Sequence, residues 1–570
     1  MPRFLSALGV AVVVACGSMV AAAERVESQK SPVPSKKVSA KKQADGRSAP
    51  KASAETKPSS APKLRSSQLD KLIASETPGV ALKTISDEQF IRRVTIDLLG
   101  RQPKPDEMRA FLETKNNGQS EAKRRAVLVN QLLASKEFGA NWANYWSDAI
   151  AFRVPPPELT FLNYGPFKEW LATNLNRNVH WNLVTAEILT ASGLVKENPE
   201  ATFVAFHDGN AQKLAAETAR IWLGVQIQCA ECHDHPFEDW KRTQFHELAA
   251  FYARAKNKIG NKATTNDGTD RTVLDAGKGE YKMPNAEDPL KDGTVMAPVF
   301  MTGVAMPLDQ CDADRREMLA KVITAPDNPW FARAYVNRMW SRLIGQGFYE
   351  PVDDMGSHRT GRLPQTHTAL AEQFVNSGYD VKDIFRLIIN TQLYQRDLSN
   401  SSASEEASPY AAAKAGKLRG DEVFESLVTA VGLPNITPPA VKPTKEIRFP
   451  PPPKSTRDLV NDTFGYDPSL SPDDVYRSMG QAMMLMNNDQ IAAQINADPK
   501  SETMLAKLVA AESDDTRVVE QLFLGVLARR PTANEVKIAK SHLKKVGKRG
   551  AAFEDLLWSL INSTEFTTKR

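Results

Sequence analysis

The eight residues Cys229-Ala230-Glu231-Cys232-His233-Asp234-His235-Pro236 constrain the chain more than any other stretch. Two cysteines two residues apart, followed at once by a histidine, must share one tight turn if their side chains are to act together. This is the spacing of covalent haem attachment. Each thiol adds across one porphyrin vinyl group, and the imidazole reaches the iron as proximal ligand. Outside the amino-terminal segment the only other cysteine is Cys311, so the pair is not left over from a disulfide framework. The expectation is haem c on Cys229 and Cys232 with His233 ligating the iron. Two alternatives stay open. His233 and His235 with Glu238 or Asp234 offer ligands for zinc or iron without porphyrin, although four ligands so close in sequence, cysteines included, are cramped around one tetrahedral ion. In an oxidising compartment Cys229 and Cys232 could instead close a small disulfide, in a structural or binding protein of the cell envelope. The second axial ligand decides between electron transfer and small-molecule chemistry. His246 and His367 are the leading candidates, with His207, His358, Met301, Met306 and Met355 behind them.

The amino terminus reads as an export signal, residues 1–23. Arg3 precedes an apolar run from Phe4 to Val14, too short to span a bilayer. Ala21-Ala22-Ala23 offers a small-residue cleavage site, while Val13-Val14-Ala15-Cys16 offers a lipid anchor at Cys16. No later run has the length of a membrane helix. A periplasmic or secreted location follows, the compartment in which haem c is attached. The formal charge of +5 belongs to a tail: residues 24–66 hold eleven Lys/Arg against four Asp/Glu, and with Arg3 also set aside 61 basic face 64 acidic residues. No nucleic-acid partner is expected. That tail is rich in Lys, Ser, Ala and Pro and reads as a disordered linker.

The remainder reads as mainly α. Two helical domains, 67–256 and 308–570, flank a small β-rich insert at 257–307, where Gly, Asn, Asp and Thr dominate. Apolar residues recur at helical spacing in Phe90–Leu99, Phe138–Ala151, Trp181–Thr190, Ala211–Leu223 and Trp330–Ile344. Trp142, Tyr145 and Trp146 read as core and not as a cofactor pocket. The Pro-rich excursion from Pro434 to about Pro472 reads as a surface strap or partner segment, outside the core. Leu99-Gly100-Arg101-Gln102-Pro103, Glu107 and Ser135-Lys136-Glu137-Phe138 recur as Leu527-Ala528-Arg529-Arg530-Pro531, Glu535 and Ser563-Thr564-Glu565-Phe566, with one constant offset. A repeated helix–turn–helix packing unit is expected at both ends. Asp353-Asp354 could bind a cation, though a solvated acidic turn is the plainer reading. No Ser-His-Asp set, P-loop or Rossmann fingerprint stands out.

Phe90-Ile91-Arg92-Arg93, Leu98–Pro103 and Leu223–Phe237, running on to Leu248–Phe251, resemble the planctomycete-specific cytochrome-like domain. Asn328–Trp340, Gly345-Gln346-Gly347, Pro351–Asp354 and Leu560–Phe566 resemble its usual partner, the planctomycete-specific conserved domain. The resemblance implies haem at the motif; together with the motif and the export signal, the expected role is electron transfer, or that of a haem subunit of an envelope redox system. Many relatives carry a further cytochrome module at the amino terminus. Here the linker stands in its place, so the redox partner would be a separate envelope protein. The Ser-His-Pro-Glu-Leu stretch of relatives is Thr366-His367-Thr368-Ala369-Leu370 here, and their aromatic pair after the motif is Phe245-His246.

Overall fold

The computed structural model describes residues 63–78, 83–151, 165–259, 271–397 except 289, 410, 416–439, 453–471 and 474–569. The export segment, Cys16 and nearly all of the linker lie outside them. The described chain is mainly α, with a few short strands. Local signals place its helices. Ser86 and Gln89 form a capping box at the start of helix Asp87–Leu99, and Gly100 ends it in the left-handed region at φ 72°. Phe90, Val94 and Leu98, four apart, are fully buried.

Helix Lys136–Ala151 packs closely on helix Gly165–Asn176. Gly139 permits this, because a Cβ there would lie 2.4 Å from the carbonyl oxygen of Ala172. Trp142, Tyr145 and Trp146 are each 1% exposed, and so are core. Trp146 meets Trp181 at 4.2 Å and stacks on Tyr335, which stacks on Phe374 at 4.3 Å. This aromatic ladder ties the motif-bearing region to helices Phe331–Ile344 and Pro364–Asn376.

The strands form a three-stranded antiparallel sheet and a small hairpin. Arg271–Asp275 lies between Ala255–Ile259 and Gly193–Leu194, with Val273 opposite both Asn257 and Gly193. One edge strand therefore comes from well before residue 257. The apolar core is likewise continuous across 257–307: one cluster runs from Leu69 to Tyr410, takes in Ala528, and includes Tyr281, Met296 and Phe300. A second cluster gathers Leu418 to Phe566 and takes in Ile96.

The Pro-rich excursion differs from its sequence reading. Ser455 and Asp458 form a capping box that starts helix Thr456–Phe464, and Val460 and Phe464 enter the second cluster at 0% and 2% exposure. Composition hid two apolar residues four apart, enough to seat one short helix. The repeated unit is present at side-chain level. Arg101 forks onto Glu107 (2.8 Å) and Glu137 (2.8 and 2.9 Å), and Arg529 onto Glu535 (2.8 and 2.9 Å) and Glu565 (2.7 and 2.9 Å).

Candidate functional site

Helix Ala211–Thr218 runs into a π-helical turn, Ala219–Leu223, which Gly224 closes in the left-handed region. Such turns often sit beside functional residues, because they shift the helix register locally. The chain then enters the 3₁₀ turn Gln228–Glu231. Ala230 is fully buried and pins this turn, while Cys229 and Cys232 are exposed with free thiols.

His233 is exposed, and its Nδ1 lies 2.7 Å from the carbonyl oxygen of Asp234. A carbonyl only accepts, so Nδ1 carries the proton and Nε2 keeps its lone pair. Asp234 turns to the next element: it accepts from the Arg242 amide at 2.9 Å and from Lys241 Nζ at 3.1 Å, at the start of helix Arg242–Ala250. The amide bond, reinforced by Lys241, holds its carboxyl below the ordinary range. His235 differs from His233. Its Nδ1 accepts from the amides of Glu238 (3.0 Å) and Phe237 (3.3 Å), so that lone pair is used in closing the loop.

His246 is fully buried, with Nε2 donating to the Glu231 carbonyl at 2.9 Å and Nδ1 accepting from the Tyr281 hydroxyl at 2.8 Å. Both nitrogens are engaged, and the ring supports the turn from behind. Burial pushes its pKa down. His367 is also buried; it donates from Nε2 to the Arg333 carbonyl at 3.0 Å and stacks on Phe348.

The structure joins the motif to a loop more than a hundred residues later. Met355 donates its amide to the Gly224 carbonyl at 2.7 Å, and Gln226 Nε2 donates to Asp353 at 3.0 Å. Glu238 forms the third tie. Its Oε2 accepts from the Ser357 amide and hydroxyl, both at 2.6 Å, and its Oε1 meets the His358 amide at 3.3 Å and the His358 ring Nδ1. Burial pushes the Glu238 carboxyl up, but the bonds from Ser357 and His358 outweigh it and hold the group down at about 2. Gly356 makes room, since a Cβ there would lie 1.8 Å from Glu238 Oε1.

Asp354 stands in the same cluster. Ligand atoms of Glu238, Asp354 and His358 all lie within 4.8 Å of one another. Arg359 also holds Asp354, through Nε at 2.7 Å. A cavity of about 290 Å³ lies beside this cluster, lined by Tyr349, His358, Arg359 and Arg362 among others. Of the residues the sequence singled out, Glu238, Asp354 and His358 come together, while His246 and His367 sit in separate buried settings. Ser357 carried no signal of its own, because its role depends on a fold contact across 119 residues.

The fold and the motif thus describe a mainly α protein in which an exposed CxxCH turn is stitched to a downstream acidic loop. Residues 69–257 match the family PSCyt2, a protein of unknown function (DUF1549), and residues 315–478 match PSD1, a protein of unknown function (DUF1553). The two matches stand in the order of the cytochrome-like domain followed by the planctomycete-specific one. No curated protein and no solved structure is significantly similar to it. No helix among the described residues is long and apolar enough to cross a membrane.

Proposed function

We propose that the protein is an exported haem c carrier that serves electron transfer in the cell envelope, with Cys229 and Cys232 as attachment points and His233 as proximal ligand. One observation carries this reading. The two free thiols are exposed on the same turn, and the adjacent imidazole has its Nδ1 proton on a backbone carbonyl and its Nε2 lone pair available. A second bond of this kind orients a metal-binding imidazole and raises its basicity. Haem bound there would supply a one-electron iron couple. The chain's part is to hold the imidazole through Asp234 O, to anchor the turn on Ala230, and to brace it through His246 and the Glu238 tie. His246 has no nitrogen to spare, so the second axial position falls to another group or stays open.

The test is expression of the full chain in a host with haem c maturation machinery. The expected product has a reduced α-band and keeps its colour after denaturation; Cys229→Ala with Cys232→Ala abolishes both. A colourless wild-type protein from that host overturns the proposal.

A second reading rests on the Glu238–Asp354–His358 cluster, whose oxygen and nitrogen ligands suit zinc or iron without porphyrin. It expects one tightly held metal per chain by elemental analysis, lost in Glu238→Gln with His358→Ala while Cys229 and Cys232 remain free.

A further inference from the structure

Helices Asp87–Leu99 and Phe331–Ile344 meet residues 416–419, 466–470, Val475 and Lys569 at a cavity of about 40 Å³. Six cations line it: Arg93, Arg338, Arg342, Lys417, Arg419 and Lys569. Three carboxylates answer some of them. Glu422 takes Arg342 at 2.5 Å and Arg419 at 3.1 Å, Asp421 takes Arg419 at 2.9 Å, and Asp97 takes Lys569 at 2.5 Å.

Arg93 and Arg338 form no ion pair among the described residues. They are 3% and 2% exposed. Arg93 donates from Nη2 to the Leu343 carbonyl at 3.2 Å, and Arg338 from Nη1 to Ser469 Oγ at 3.0 Å. Among the described residues Arg93 Nη1 and Arg338 Nη2 are buried with no hydrogen-bond partner, the Arg93 guanidinium resting over the Tyr394 ring at 4.3 Å. Burying a guanidinium without a counter-charge is among the costliest arrangements a core can hold. The crowding shows at Lys569, where desolvation and then Arg342 push the ammonium down to about 8.

We propose that this cavity binds a small oxyanion, a phosphate, sulfate or carboxylate group, clasped between Arg93 and Arg338. The guanidinium fork matches two oxygens of such a group and leaves fewer donors unpaired. The volume fits one such group and excludes a nucleotide or a porphyrin. The inference does not depend on haem binding.

The experiment is thermal unfolding of the full chain in sodium phosphate, sulfate or acetate, each against sodium chloride at matched ionic strength. Ligand that binds only the folded state raises the midpoint saturably, here by about 2 °C or more. A rise with phosphate or sulfate identifies an inorganic oxyanion, and a rise with acetate alone identifies the carboxylate of an organic ligand. Arg338→Gln should abolish the rise while leaving the anion-free midpoint equal or higher, because it removes an unpaired charge. Leu470→Trp, at a half-exposed residue on the cavity lining, should abolish the rise with every cation in place, and it decides the matter if R338Q does not fold. No saturable rise with any of the three anions, or a rise that both variants retain, overturns the proposal.

Discussion

Glu238 and His233 stand five residues apart and are held in opposite ways. His233 is exposed with one nitrogen free, whereas the Glu238 carboxylate is 5% exposed and bonded on both oxygens. A carboxyl held at about 2 when folded, against an ordinary value of 4.5, adds stability above pH 4.5 and loses it as pH falls towards 2. Glu238→Gln should therefore flatten the acid limb of a stability-against-pH curve between those values. Gly356→Ala tests the same tie from the other side. With 1.8 Å between the new Cβ and Glu238 Oε1, either the loop or the carboxylate must move. We expect a loss of about 1–3 kcal/mol in chemical denaturation and faster hydrogen exchange at the Ser357 amide.

Among elements, the duplicated helix–turn–helix allows an internal comparison. Arg101 and Arg529 hold equivalent glutamates at nearly equal distances, yet their side chains are 6% and 24% exposed. Replacing either with Met leaves two carboxylates unpaired. The more buried copy should lose more, about 2–3 kcal/mol for Arg101→Met against about 1–2 for Arg529→Met, read from paired urea midpoints. The repeat was legible because the Arg and both Glu keep one spacing. The fork itself was not, since nothing in the order of residues says that a guanidinium reaches two carboxylates at once. Helix positions were legible for a simpler reason: apolar spacing and caps are local. The helix at Thr456–Phe464 escaped notice because proline content outweighed Val460 and Phe464 in the reading of that stretch.

Across the whole molecule, two buried histidines make acid a general stress. Burial holds His367 at about 4 and His207 at about 3, both below the ordinary 6.5. The unfolded chain binds those protons first, so the stability is complete above pH 6.5 and is lost as pH falls from there towards 4 and 3. For His367 the difference is on the order of 3 kcal/mol. Unfolding midpoints should fall between pH 7 and pH 4, and His367→Gln, which can still donate to the Arg333 carbonyl, should lessen the fall. A flat profile over that range would count against burial of these rings. The continuous core from Leu69 to Tyr410 gives this loss a wide reach, since its aromatic ladder joins both matched family regions.

The order of residues by itself determined the mainly α class, the repeated packing unit, and a turn bearing two thiols and an imidazole, because each rests on contacts within a few residues. It made His233 the expected iron ligand and left His235 as an alternative. The folded loop separated them, by giving the proton of one to a carbonyl and the lone pair of the other to two amides within three residues. The tertiary structure also joined Glu238 to Ser357 and His358, and enclosed Arg93 and Arg338 without a counter-charge among the described residues. The last two facts depend on segments more than a hundred residues apart meeting in one fold, where burial decides which charge is paired.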